Sequence, residues 1–108
     1  MVVNETVWSE NEQIIAANAC YQAHDREVKN LIEEVRIRTG EIEEIEDLWR
    51  IHDFLSARRH QIDGKYDNRP SALLFVLAQL IKETLISIEE LEGLNKDKLA
   101  KITALSKM

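Results

Sequence analysis

The chain has 108 residues, of which 44% are hydrophobic and 31% are charged, and its formal net charge is -6. This composition is too apolar for a disordered chain, and three glycines with one proline are too few turn residues for an all-β fold. The acidic balance argues against nonspecific binding to nucleic acid or anionic membranes as the main activity, because both depend on basic residues. A single helical domain is predicted, whose surface a partner subunit would help to cover.

The first predicted helix begins near Glu10 and continues for about thirty residues. Ser9 followed by Glu12 matches a capping box, in which the serine accepts from a backbone N–H and the glutamate reaches back. Gly40 is the predicted C-cap or kink. Side chains at alternating spacings of three and four form one stripe suited to helix packing: Ile14, Ala17, Tyr21, His24, Val28, Leu31 and Val35.

The second predicted helix covers roughly Glu41 to Asp63 and carries two faces that could both be buried. One flank is aliphatic and consists of Leu48, Ile51, Leu55 and Ile62. The other places a large ring beside ionisable groups and consists of Trp49, His52, Asp53, Ser56, Arg59, His60 and Asp63. That mixture is typical of a protein-protein contact, so this flank is the predicted functional surface.

A polar loop after the Asp63-Gly64 pair leads to Pro70, which suits the first turn of a third helix because it lacks an N–H. This helix is apolar on nearly every side from Ala72 to Ile81. It therefore lies either at the centre of a helical cluster or partly against another chain.

The last predicted helix follows a second capping signature at Ser87 to Glu90 and a break at Gly93. Asn95 is its predicted N-cap. Its apolar positions are Leu99, Ile102 and Leu105.

Charge is segregated along the chain. From Glu33 to Asp47, seven acids against two bases give -5, whereas from Arg50 to Arg69, five bases against three acids give +2. Two such segments could attract each other in an antiparallel, two-fold pairing of subunits, although exposed ion pairs contribute little alone.

An acid-base or hydrolytic site could in principle use His52, Asp53, Arg59 and His60, because histidine titrates near neutrality and a carboxylate can orient it. The sequence disfavours catalysis, since adjacent residues such as His52 and Asp53 diverge by about 100° on a helix. No glycine-rich loop or nucleophile elbow accompanies them.

A metal site is also disfavoured. Cys20 and His24 are four residues apart and could share a helix face, but they would need at least one further ligand.

The localisation expected from the sequence is cytoplasmic. No apolar run approaches the roughly 18 residues needed to span a bilayer, and the N-terminal MVVNETVWSE lacks a signal-peptide pattern. A single cysteine, Cys20, fits a reducing compartment.

The segment DLWRIHDFLSARRHQIDGKYDNR at 47–69, continuing into SALLFVLAQL, closely resembles the fluorescence recovery protein family of cyanobacteria. The similarity covers about forty residues. It combines Trp49, His52, Asp53 and Arg59 with the HxIDGKYD segment at 60–67 in one order and spacing. Residues before Gly40 carry nothing diagnostic.

The resemblance implies an all-α homodimer with a long antiparallel two-helix stalk, about residues 9–64, and a small helical head, about residues 65–108. These form a single domain over 1–108. Positions matching the family's key stalk residues, expected at the dimer interface and needed for activity, are Trp49, His52, Asp53 and Arg59. Phe75 and Lys101 match head positions implicated in partner contact.

The function implied by the resemblance is that of a non-enzymatic regulator of the orange carotenoid protein. It would bind the photoactivated red form, with the C-terminal domain of that protein as the expected contact, and accelerate its return to the orange form. Quenching of phycobilisome fluorescence would then end. No cofactor, metal, nucleic acid or membrane insertion is expected, and the thylakoid-associated phycobilisome is an additional expected location.

Two alternative functions stay open from the sequence. Relatives occur in bacteria without the carotenoid protein, so the chain could be a helical adaptor or signalling module for another partner, and a small enzyme is the third class. Without the resemblance, Trp49 fits an intrachain helix contact as well as an intersubunit one. By the same reasoning Phe75 fits a core position and Lys101 plain surface.

Overall fold

The computed structural model describes residues 7–108. Part of the N-terminal segment considered for a signal peptide, residues 1–6, lies outside the described residues. The elements in chain order are α1 (Glu10–Gly40), α2 (Ile45–Lys65), α3 (Pro70–Lys82), a short 3₁₀ helix (Ile88–Leu91) and α4 (Lys96–Ser106). The predicted all-α fold is confirmed.

The predicted helix starts are confirmed by their capping contacts. Ser9 Oγ accepts from the Glu12 backbone N–H, and Glu12 Oε1 accepts from the Ser9 backbone N–H, both at 3.1 Å. Pro70 is the first residue of α3, and Asn95 Oδ1 accepts from the Lys98 backbone N–H at 2.8 Å. Each helix start is marked by residues within four positions of one another, so it can be predicted from a short stretch of sequence.

α2 begins four residues later and ends two residues later than predicted. Residues 41–44 form the connection that reverses the chain, and Asp47 Oδ2 accepts from the backbone N–H groups of Glu43 and Glu44 at 3.0 and 3.1 Å. These two hydrogen bonds lower the pKa of Asp47, the bond from Glu43 most. The Asp63-Gly64 pair does not end the helix, because α2 continues to Lys65.

α1 and α2 form the predicted antiparallel stalk. Moving back along α1, Arg38 lies over the Phe54 ring at 4.0 Å, Glu34 lies 3.6 Å from Arg58, and Glu27 lies 2.5 Å from Lys65. The structure measures 57 × 28 × 24 Å, and its Cα radius of gyration of 17.1 Å exceeds the roughly 13 Å expected for a globular domain of this length. The 31-residue α1 accounts for most of the long axis.

The hydrophobic core lies in the head, where α3 is the central helix. Leu77 and Leu80 of α3 are fully buried, together with Leu91 and Ile102. α3 therefore lies at the centre of a helical cluster, the first of the two predicted alternatives. Its other buried residues are Leu73, Leu74, Val76 and Ala78.

The N-terminal half of α1 packs against this core through a different stripe from the predicted one. Ile14 and Tyr21 are exposed, whereas the buried positions of α1 are Glu12, Ala16, Ala19, Ala23 and Glu27. Alanines allow the neighbouring helices to approach α1 closely, and the two glutamates are buried because each meets a lysine of the opposing element. The predicted rotation of α1 is thus wrong for this half.

Candidate interaction surfaces

The inner side of α2 covers α1 only partly. Half-buried residues recur along α2 at spacings of three and four, and no residue of α2 is fully buried. These inner positions are Asp47, Ile51, Phe54, Arg58, Ile62 and Lys65. A 21-residue helix therefore rests on one neighbour and leaves its other side uncovered in the single chain.

The opposite side of α2 carries the predicted functional residues. Trp49 is 60% exposed, and Ile45, Leu48 and Leu55 are exposed beside it. We call this surface the outer face of α2 and define it as Ile45, Leu48, Trp49, His52, Asp53, Leu55 and Arg59, all of which are exposed.

The division of α2 into two flanks needs a correction. Ile51 and Ile62 lie on the side that meets α1, as the aliphatic flank predicts, but Leu48 and Leu55 are exposed on the outer face with Trp49. The actual seam with α1 is completed by Phe54 and the stem of Arg58. The outer face is therefore more apolar than the predicted functional flank.

The ionisable groups of the outer face make weak contacts within the chain. His52 Nδ1 lies 3.3 Å from Asp53 Oδ1, and Arg59 Nε lies 3.7 Å from Asp63 Oδ2. All four side chains are highly exposed. Solvated pairs of this kind contribute little to stability, so these groups can exchange partners at an interface.

The structure brings His52 and Asp53 into contact at 3.3 Å, although their adjacent helix positions were expected to diverge, but it does not place this pair in a pocket with His60. An open depression of about 680 Å³ between the end of α2 and α3 is lined by His60, Arg58 and Gln61 among others, but by neither His52 nor Asp53. His52 and Asp53 lie on the extended outer face instead. This arrangement is suited to contact with a macromolecule and not to enclosing a small substrate.

Cys20 and His24 do not form a metal site with a third ligand in the described part of the chain. Cys20 is partly buried, and burial raises the pKa of its thiol. The His24 ring meets the Tyr66 ring edge-on at 5.2 Å. Over residues 7–108, no three histidine, cysteine, aspartate or glutamate side chains are grouped so as to hold a metal ion.

Phe75 and Lys101 both lie on the surface of the head. Phe75 is 64% exposed although the residues on either side of it along α3 are buried or nearly so. Lys101 is exposed on α4, where its Nζ lies 3.4 Å from Asp97. An exposed phenylalanine on the central helix of a head is a candidate contact for another protein.

Two ion-pair clusters in the structure were missed from the sequence. Glu12 meets Lys98 in the interior, and Glu27 and Glu83 share Lys65 at the junction of α1, α2 and α3. Charged residues are usually exposed, so nothing local in the sequence indicates their burial. The capping box in the sequence predicted that Glu12 caps the start of α1. It gave no indication that Glu12 also pairs with Lys98.

Among helices in the described part of the chain, none combines the length and apolar character required to cross a bilayer.

Comparison with known proteins gives a consistent result over nearly the whole chain. Residues 8–106 match the family model described as "Photoprotection regulator fluorescence recovery protein". A curated relative, the fluorescence recovery protein of Synechocystis sp. PCC 6803, is 47% identical over 104 residues, covering 96% of this chain and 95% of the relative.

Solved structures agree with this match. The fluorescence recovery protein of Fremyella diplosiphon is 51% identical and superposes with a TM-score of 0.90, covering 94% of this chain and all of that one. The Synechocystis sp. PCC 6803 structure has the same coverage and TM-score at 47% identity. The chain belongs to the fluorescence recovery protein family of photoprotection regulators.

Proposed function

We propose that this protein is a non-enzymatic regulator that binds the photoactivated red form of the orange carotenoid protein and accelerates its return to the orange form. Quenching of phycobilisome fluorescence would end as a result. Membership of a family of photoprotection regulators supports a regulatory role in photoprotection. The observation that carries it is the exposure of the Trp49 and Phe75 rings, together with the position of His52 and Asp53 outside the depression that His60 lines.

The outer face of α2 is the proposed contact between two copies of the chain. It exposes four large apolar side chains that are each 37–60% exposed, so burying the rest of each would contribute part of the roughly 1.5–3 kcal/mol of a fully exposed side chain, before the costs of association are subtracted. A two-fold interface places the same surface on both subunits. Trp49 would then pack against the partner's outer face, while Asp53 and Arg59 exchange their solvated contacts for pairs across the interface.

The charge distribution supports an antiparallel arrangement of the two copies. Within one chain, the acidic segment 33–47 and the basic segment 50–69 are joined by the pair of Glu34 and Arg58. The acidic residues around the turn between α1 and α2 are exposed, and they are Glu41, Glu43, Glu44 and Glu46. In an antiparallel dimer they can approach the basic segment of the partner.

The head is the proposed docking surface for the carotenoid protein, whose C-terminal domain is the expected contact. Phe75 supplies an exposed ring, and Lys101 supplies an ammonium group on α4. Aromatic side chains such as Phe75 are enriched at the centres of protein interfaces.

The proposed mechanism requires no covalent chemistry. The red-to-orange return is downhill, and a binding protein accelerates it by stabilising the arrangement of the partner at the barrier more than the starting form. Affinity must also be higher for the red form than for the orange form, because otherwise the regulator would remain bound after recovery.

The test is to add the purified protein to light-activated carotenoid protein and to follow visible absorbance in the dark. The proposal predicts a faster red-to-orange return. Phe75→Ser should slow this return while leaving the dimer intact. Tyr21→Ser, which removes an exposed ring from α1, is the matched control and should behave as the wild type. An unchanged return with the wild-type protein would refute the proposal and favour an adaptor for another partner.

A further inference from the structure

Lys65, the last residue of α2, joins three elements through one ammonium group. Its Nζ lies 2.5 Å from Glu27 Oε2 of α1 and 2.5 Å from Glu83 Oε1, just beyond the end of α3. The Lys65 and Glu27 side chains are only 11% and 8% exposed. Buried charges are retained when they are paired, so the removal of either partner leaves an uncompensated charge.

Tyr66 provides a second contact at the same place. Its hydroxyl donates to Glu27 Oε1 at 2.7 Å. Burial, and then the hydrogen bond to Glu27, raise the pKa of Tyr66, so the phenol remains a donor near neutral pH. Burial alone would lower the pKa of Lys65, but its hydrogen bonds to Glu27 and Glu83 outweigh burial and raise it.

The cluster is connected to the side of α3 that carries Phe75. Glu83 Oε2 accepts from Gln79 Nε2 at 2.5 Å, and Gln79 lies one turn after Phe75 on the exposed side of α3. The backbones of α2 and α3 do not pack along one another. Lys65 and its carboxylates therefore provide a direct side-chain link between the end of α2 and the end of α3.

We propose that Lys65 is a positioning residue that fixes the C-terminal end of α2 against the head through Glu27 and Glu83. The structure supports this because α2 has no fully buried residue, so within one chain few contacts hold it against its own head. The consequence is a fixed relation between the outer face of α2 and the Phe75 surface. This last step rests on the proposed function, in which the two surfaces act in one complex.

The structural test is hydrogen-deuterium exchange on the intact protein. Lys65→Met should accelerate amide exchange at residues 61–69 by at least about tenfold, because it removes the ammonium group that Glu27 and Glu83 share and leaves the buried Glu27 without a cation. Glu83→Ala should produce a smaller increase at the same residues, since it keeps the Glu27 to Lys65 pair. Lys29→Met removes an exposed lysine paired with Asp25 and is the matched control, for which no change is expected.

The functional test is the maximal acceleration of carotenoid-protein recovery at saturating regulator. Lys65→Met should reduce this maximum while the protein remains a dimer. If Lys65→Met only destabilises the fold, adding more of the variant should restore the wild-type maximal acceleration of recovery. That result would overturn the positioning role of Lys65. If Lys65→Met does not fold, Glu83→Ala provides both readouts.

The two proposals can fail separately. Exchange at 61–69 that is unchanged in both Lys65→Met and Glu83→Ala would overturn the role of Lys65, whatever the activity. A wild-type protein that does not accelerate recovery would refute the proposed function, while faster exchange in the variants would still support the structural role of Lys65.

Discussion

Glu12 and Lys98, 86 residues apart in the sequence, form a buried ion pair of 2.9 Å between α1 and α4. Glu12 also accepts from the backbone N–H groups of Ser9 and Asn95, so one carboxylate caps α1 and holds the start of α4. The Lys98 ammonium lies 4.9 Å from the centre of the Trp8 ring. The Glu12 carboxylate thus joins the first and last helices inside the head.

Removal of the Lys98 ammonium is predicted to destabilise the head. Lys98→Met leaves Glu12 buried without its cation, and a broken buried pair typically costs about 3–5 kcal/mol. Urea unfolding followed by circular dichroism, at one fixed protein concentration, measures the loss. Lys96→Met on the same helix is the control, because Lys96 is exposed and should tolerate the change. Equal stability of the two variants would contradict the role of the buried pair.

Glu12 also predicts how stability depends on pH. The backbone hydrogen bond from Asn95, then the contact with Lys98, and then the backbone hydrogen bond from Ser9 lower its pKa from 4.5 to about 2. Because the pKa is lower in the folded chain, the stabilisation is present above pH 4.5 and is lost as the pH falls towards about 2. Glu12→Gln should show a shallower loss of unfolding free energy over this range. Parallel pH profiles for the two proteins would exclude the predicted shift.

A substitution at Thr84 is predicted to stabilise the fold. It has φ of 60° at the end of α3, where its N–H donates to Ile81 O and the Leu85 N–H donates to Leu80 O. This is a Schellman motif with a β-branched residue at the position that favours glycine. Thr84→Gly should therefore stabilise the fold by about 1 kcal/mol.

The gain from Thr84→Gly should raise Tm by about 4 °C in a thermal melt at fixed concentration. Thr39→Gly is the control, since Thr39 lies within the last turn of α1 and has no positive φ to relieve. If Thr84→Gly lowers Tm as Thr39→Gly does, the positive φ of Thr84 does not strain the fold and the prediction is wrong.

Gly93 is predicted to be intolerant of a side chain. Its φ is +107°, and a Cβ atom there would lie 2.5 Å from Ile15 Cδ1. Gly93→Ala should cost roughly 1–3 kcal/mol in unfolding free energy, even if the end of the Ile15 side chain shifts. Gly64→Ala is the matched comparison, because a Cβ there has no neighbour within 4 Å, and it should be neutral or stabilising. A neutral Gly93→Ala would show that the loop adapts.

Local signals explain which parts of the fold could be predicted from the sequence. Ser9 with Glu12, Pro70 and Asn95 each mark a helix start through contacts within three residues, and all three were predicted correctly. The side of α1 that faces the core was predicted incorrectly. The periodic pattern placed large side chains such as Tyr21 in the contact, whereas the observed contact is made mainly by alanines. Sequence alone does not show which neighbour will cover a helix face.

The candidate surfaces show the same contrast. The ionisable part of the outer face around Trp49 could be predicted, since its residues share one short segment and one helical side, but Leu48 and Leu55 were assigned to the wrong flank. The Glu27 to Lys65 pair could not, because its residues are 38 positions apart and both are charged residues of a kind normally found in solvent. Long-range pairing of this kind depends on the relative placement of helices, which only the folded structure provides.

We expect a second copy of the chain to cover the exposed Trp49 ring. Sedimentation equilibrium tests this most directly, with Phe75→Ser as a control that should keep the wild-type mass. The wild-type protein should sediment at twice the 12.5 kDa mass of one chain, and Trp49→Ala or Asp53→Ala should shift towards the single-chain mass. A monomeric wild type, or a Trp49→Ala protein that remains fully dimeric, would contradict the claim.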